Sequence, residues 1–238
     1  MKKEIRQVTK DTVQITTLDE RWYERDSVAV PSVTWITHFY PKGIAYMQWL
    51  AKHGWDEAEA IKTEAGDKGT IVHHAIAKLL EDKELKMDAT INDREGVARE
   101  MTPDEYACVM SFATWYKENN PKILGTEYVV WGDGYAGTVD LLCEIDGQKW
   151  LIDLKTSQSV WASHELQVSA YLHATGLVDA VGAKLAILQV GYKRNKAGFK
   201  FTEVDDQYDL FISTKNVWAK ETSGEKPHQK DYPLELKI

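Results

Sequence analysis

Two carboxylates and an ammonium stand where a buried strand should be apolar. The stretch LIDLKTS, residues 151–157, opens as a core strand with Leu151 and Ile152 and then sets Asp153 and Lys155 on one side of it. A second aspartate, Asp140, lies in YAGTVDLLCEI, and a glutamate, Glu127, in TEYVVW. Carboxylates that meet in a sheet either share a proton at a raised pKa or hold a divalent cation. A neighbouring lysine favours the cation. Lys155, protonated beside the acids, would orient an attacking water or stabilise developing negative charge. Thr156 and Ser157 follow it and can donate to a phosphate or cap the next segment.

The turns bring these groups together. Asp146-Gly147 is a strong type I′ hairpin signal. With those two residues as the loop, Ile145 faces Gln148, Cys143 faces Trp150, Leu141 faces Ile152 and Asp140 faces Asp153. Opposed Cβ atoms stand roughly 4.5–5.5 Å apart. Asp133-Gly134, treated likewise, sets Glu127 opposite Asp140, although Gly132 leaves room for a longer loop or a bulge. This register assigns Val139, Leu141, Cys143, Ile145, Trp150, Ile152 and Leu154 to a core face. Thr138, Asp140, Leu142, Asp153 and Lys155 fall on the other.

The surrounding elements must carry the partners. KGTIVHHAIAKLLEDK is an amphipathic helix on which His74 shares the face of Thr70, Lys78 and Glu81, while His73 borders that of Ile76 and Leu80. Helices are also expected at 43–52 and 55–66. In TPDEYACVMSFATWYKENNP, Thr102, Pro103 and Glu105 spell a capping box, and Asn120-Pro121 a stop. A helix over 163–175 ends at Gly176 and carries Gln167 and Tyr171 one turn apart, on one face. KLAILQVGYK and GFKFTEV form a strand pair, and DQYDLFISTKNVWAKE a closing helix. The first thirty residues show only a possible short strand near 27–30. The fold class is α+β, a central mixed sheet flanked by helices, in one domain over 1–238: a mostly helical N-terminal elaboration to 101, a core over 102–221 and a tail from 222.

GTVD at 137–140, DLK at 153–155 after a hairpin, Gly69…His73 upstream and Gln167…Tyr171 downstream resemble the PD-(D/E)XK nuclease superfamily in its RecB-like exonuclease branch. SVTWI and KGTIVHHAI are similar to the phage and mitochondrial genome maintenance exonucleases of that branch. Val139-Asp140 stands where the literal Pro-Asp would be. The resemblance implies a restriction-endonuclease-like core and a Mg²⁺- or Mn²⁺-dependent deoxyribonuclease. Asp140, Asp153, His73 and the Leu154 carbonyl would be its metal ligands. Lys155 and Glu127 would act beside them, and Gln167 and Tyr171 would face the site and the backbone phosphates. It implies an exonuclease on single-stranded or end-exposed DNA, in recombination, repair or phage replication, with a single-strand annealing or binding protein as a partner. The alternatives are a flap endonuclease and a non-catalytic DNA-end-binding module.

Composition narrows this further. The chain has 238 residues, 43% hydrophobic and 28% charged, with a net charge of −8. That balance excludes a protein that coats nucleic acid by bulk charge, while a local basic strip can still guide a phosphate backbone. Two cysteines, Cys108 and Cys143, cannot form a four-cysteine iron–sulfur cluster, and in apolar surroundings they read as thiols of a reducing cytoplasm. No apolar run long enough to span a membrane and no secretory h-region is present, so a cytoplasmic location is expected. Of the nine tryptophans, most, Trp115, Trp150 and Trp161 included, read as core. Lys193, Arg194 and Lys196 form a basic turn, and the tail SGEKPHQKDYPLELKI reads as an extended arm.

Overall fold

A computed structural model describes residues 4–17, 20–93, 96–177 and 182–222. The tail expected as an extended arm lies outside the described residues.

The chain opens with an antiparallel sheet of four strands in sequential order, β1 (Glu4–Gln7), β2 (Thr12–Thr16), β3 (Arg21–Arg25) and β4 (Val28–Pro31). The expectation of a mostly helical N-terminal part is corrected here. Its helices begin only with α1 (Val33–Thr37), capped by Ser32, and continue as α2 (Ile44–His53) and α3 (Trp55–Asp82). The helices expected on either side of Gly66 are one, of 28 residues. Neither Gly66 nor Gly69 breaks it, because a lone glycine in a long helix costs only about 1 kcal/mol. A small hairpin follows, β5 (Thr90–Asn92) and β6 (Ala98–Glu100). Then comes α4 (Pro103–Asn119), whose Thr102–Glu105 capping box is formed in both directions and whose C-cap, Asn120, is left-handed.

The core sheet runs β11-β10-β9-β8-β7. Its members are β7 (Lys122–Gly132), β8 (Tyr135–Ile145), β9 (Gln148–Lys155), β10 (Lys184–Val190) and β11 (Phe199–Val204). β9 and β10 are parallel and all other neighbours antiparallel. A parallel pair needs a crossover, and α5 (Ala162–Thr175), closed by left-handed Gly176, supplies it. α6 (Tyr208–Glu221) ends the described chain. Among the described residues, no helix is long and apolar enough to cross a membrane.

Helices cover both faces of this sheet. Val139, Leu151 and Ile187 join Ile36 of α1, Leu166 of α5, Phe211 and Trp218 of α6, and Trp22 of β3. Leu141, Ile152, Leu154 and Leu188 join Ile71 and Ile76 of α3 with Phe112 and Trp115 of α4. The single core face expected from the register is therefore corrected: β9 and β10 are central strands, buried on both sides as parallel strands are. Val139 and Leu141, assigned to one face, lie on opposite ones. β8 changes face between them, at Asp140.

β7 breaks step at the same level. Tyr128 pairs with Val139 and Thr126 with Leu141, in the register expected from the Asp133-Gly134 turn, but Glu127 and Asp140 between them do not pair. Glu127 has a φ of 47°, in the left-handed region. That conformation costs a non-glycine residue roughly 1–2 kcal/mol in a strand that had an easier alternative. Strain of this kind gathers where a side chain must be aimed.

Candidate active site

β8 and β9 pair in the register their Asp-Gly turn dictates, as far as Leu141↔Ile152. Asp140 and Asp153 lie one step beyond, where the strands part. Asp140 uses the gap. Its Oδ2 accepts the backbone N–H of Leu154 at 2.7 Å, a bond the ladder no longer makes. The Leu154 carbonyl lies 3.0 Å from His73 Nε2. Nδ1 of the same ring is 3.4 Å from Asp140 Oδ1 and 3.8 Å from Glu127 Oε1. The left-handed turn at Glu127 is thus what points its carboxylate back at the histidine. His73, Glu127 and Asp140 can bring ligand atoms within 4.8 Å of one another, a group fit to hold a metal ion.

Asp153 belongs to a second set. Its Oδ1 accepts from Gln167 Nε2 at 2.9 Å. Its Oδ2 lies 2.7 Å from Lys155 Nζ, an ion pair without the alignment of a hydrogen bond. Gln167 Oε1 accepts from the same ammonium at 3.2 Å, and Gln167 Nε2 also reaches the Tyr171 hydroxyl at 3.0 Å. One amide therefore orders an aspartate, a lysine and a tyrosine, with each of its ends in its proper role. Gly137, the first residue of GTVD, makes room for this. A Cβ there would stand 2.3 Å from Tyr171 Cε1. Gly69 has no such need: a Cβ would lie 4.0 Å from Thr156 Oγ1, an ordinary contact.

The two sets differ in charge. Burial raises the Asp140 carboxyl, but the His73 cation, Lys155 and the Leu154 N–H together bring it below the usual range. Burial and then repulsion from Asp140 lift Asp153 to about 6, despite Lys155. Glu127 rises to about 7, from burial and the same Asp140 charge. His73 is pulled down by burial and raised further by Asp140 and Glu127, to about 9. Three carboxylates, Glu127, Asp140 and Asp153, stand here against the His73 and Lys155 cations, and the donors are hard oxygens plus one imidazole. A divalent cation of the Mg²⁺ or Mn²⁺ kind fits that set.

These groups open on a groove of about 1120 Å³ between α3, the core sheet and the N-terminal sheet. Asp140 is 9% exposed and Asp153 1%. Of the residues expected to meet substrate, Gln167, Tyr171, Thr156 and Ser157 all line it. The Ser157 hydroxyl bonds the Ser159 carbonyl at 2.8 Å, so it serves the turn. Lys193 of the basic turn reaches the groove. Trp115 is buried, but Trp161, read as core, is 55% exposed. Several lining residues gave no signal in the sequence. His164, whose imidazole burial and then the Lys155 and Lys42 charges hold down at about 3, is one. Arg6, Arg21 and Tyr23 are others, and their strands passed unread.

No family model and no curated protein matches the chain. Two solved structures resemble its backbone trace. One is an alkaline exonuclease (LHK-Exo) from Laribacter hongkongensis, 10% identical over 81% of this chain and 87% of that one, with a TM-score of 0.40. The other, SSO0001, is 14% identical over 54% of this chain and 64% of that one, with a TM-score of 0.33. Likeness this distant concerns the path of the chain and carries nothing about activity.

Proposed function

We propose that the chain is a divalent-metal-dependent deoxyribonuclease with a restriction-endonuclease-like core of the PD-(D/E)XK type, RecB-like branch. The observation that supports this best is the meeting of Asp140, Asp153 and Lys155 at the parting of β8 and β9, with the Leu154 carbonyl turned to His73. Asp140, Asp153, His73 and the Leu154 carbonyl would hold the cation, with Glu127 beside them. Such an ion, when bound, neutralises charge at phosphorus and supplies a water nucleophile.

The chain's own groups do the rest. The Lys155 ammonium, held between Asp153 and Gln167, is fixed where charge develops on the phosphate. Gln167 holds Asp153 and Lys155 at a set spacing, and Tyr171 locks the glutamine's rotamer. Because both aspartates are nearly closed to solvent, a phosphate must be drawn into the groove to reach them. A strand free of its complement, or fraying at an end, does this more readily than an intact duplex. This supports an exonuclease on single-stranded or end-exposed DNA. Two buried, unbonded thiols suit a reducing compartment such as the cytoplasm.

The test is digestion of end-labelled single-stranded and duplex DNA, linear and circular, with Mg²⁺, Mn²⁺ or EDTA. Linear strands are expected to shorten with metal only, and not with Lys155→Ala. Cutting of circles would replace the exonuclease by an endonuclease. Binding of ends without cleavage under any metal would leave a DNA-end-binding module.

A further inference from the structure

The polar side of the N-terminal sheet forms one wall of the groove. Its strands alternate: Ile15 and Trp22 turn into the core, while Gln14, Thr16, Arg21 and Tyr23 turn the other way. Arg6 of β1 pairs with Gln14 of β2, Gln14 with Tyr23 of β3, and Thr16 with Arg21. These residues make two adjacent polar rows on one face, Arg6–Gln14–Tyr23 across three strands and Thr16–Arg21 beside it. The first row is tied to the site at one end. The Tyr23 hydroxyl lies 2.9 Å from Thr138 Oγ1 and accepts from Gln14 Nε2 at 2.7 Å, and Thr138 is two residues from Asp140. An isolated bridge joins Ser32, just past β4, to Ala136 of β8. Arg6, at the far end, still bears electrostatically on Glu127 and His74 across the groove.

The cations of the groove are not alike. Lys68 pairs with Asp104, Lys78 with Asp82, Lys155 with Asp153, and Lys193 sits 3.6 Å from Asp104. Arg6 and Arg21 line the same groove, and among the described residues neither has a carboxylate partner. In a chain of net charge −8, two guanidinium groups that form no ion pair among the described residues, on one wall of the groove, are poised for an anion from outside. A guanidinium fork suits a phosphate. Two such forks on a polar face that ends beside Asp140 suit a chain of phosphates better than one.

We propose that this face, through Arg6 and Arg21 with Gln14 and Thr16 between them, holds the phosphodiester backbone of the strand whose scissile phosphate sits at Asp140. The inference rests on the nuclease reading above and adds the binding surface to it. The contacts are sequence-independent and fix the strand's position; they take no part in the bond cleavage.

The test measures binding without cleavage. A fluorescent single-stranded oligonucleotide is titrated with the full chain in EDTA, at several salt concentrations. The proteins are the wild type, Arg6→Ala/Arg21→Ala, Arg6→Lys/Arg21→Lys, and Lys86→Ala, an exposed lysine outside the groove. The alanine pair is expected to bind roughly tenfold or more weakly. Its slope of log affinity against log salt should be shallower by about 1.4, two phosphate contacts at ~0.7 each. The lysine pair should keep the slope, and Lys86→Ala should match the wild type. A wild type that binds while the alanine pair keeps its affinity and slope overturns this inference and leaves the nuclease reading intact. A lysine pair as weak as the alanine pair, with a lowered melting temperature, overturns it too, by making the arginines structural. A wild type that binds no oligonucleotide overturns both.

Discussion

Asp140 and Asp153 stand one residue past the last pair of the same ladder, yet they live in opposite surroundings. Asp140 is joined to α3 through His73, takes a backbone N–H, and ionises readily. Asp153 is joined to α5 through Gln167, faces Lys155, and holds its proton to about 6. Two carboxylates that differ this way are not a symmetrical pair sharing one proton. One is held as an anion below the usual carboxylate range, and the other ionises only as pH passes about 6. A half-sheet that flips face at Asp140 makes this split possible, because it hands one acid to each covering layer.

The largest break in the comparison is Lys155→Ala. It leaves the Asp153 carboxylate, wholly buried, without its cation, and breaking a buried pair costs about 3–5 kcal/mol. Cleavage should fall by roughly 10³-fold, the scale for a lost transition-state donor. The double variant Lys155→Met/Asp153→Leu should recover most of the stability by thermal melting and none of the activity. A single variant that melts like the wild type would contradict the buried pair.

His73→Ala strikes the other half. It takes the cation from Asp140 and one candidate ligand from the site, so the metal concentration for half-maximal cleavage should rise about 10–100-fold. An unchanged metal dependence would make His73 structural. Gly137→Ala acts through Tyr171, whose ring the new methyl would strike. Overpacking of this kind costs about 1–3 kcal/mol and should loosen the Gln167 amide. Cleavage should drop, whereas unchanged cleavage would show that the Tyr171 ring does not hold the amide in place.

The smallest effect is a slope. Glu127 rises to about 7 from an ordinary 4.5, so in the folded chain it keeps a proton that the unfolded chain has lost. Its contribution to stability is therefore lost as pH rises from about 4.5 through 7. Glu127→Gln removes that loss. In EDTA, the variant's melting temperature should gain on the wild type across this window by a few degrees. A gap that stays constant with pH would show that Glu127 ionises normally.

Much of this site was legible because turns are local. Asp146-Gly147 set the register of β8 and β9, and register placed Asp140 against Asp153. The capping box of α4 and the Gly176 stop of α5 are local too. What stayed hidden depends on the whole fold. The face change at Asp140 lies beside a left-handed Glu127, for which no glycine gives warning. Both faces of the sheet are buried because of helices far away in the sequence. RWYER shows only two adjacent aromatics between charges and no alternation, so β3 reads as polar loop until its neighbours are known. The arginines it shares with β1 were missed with it.

The central claim is that the two halves form one cation centre. Binding of Mn²⁺, followed by its paramagnetic resonance signal, tests this in the wild type, Asp140→Asn and Asp153→Asn. Both substitutions are expected to weaken binding at least tenfold and to abolish cleavage. If Asp153→Asn binds Mn²⁺ as tightly as the wild type, the metal belongs to His73, Glu127 and Asp140 alone, Asp153 is only the counter-ion of Lys155, and the claim fails.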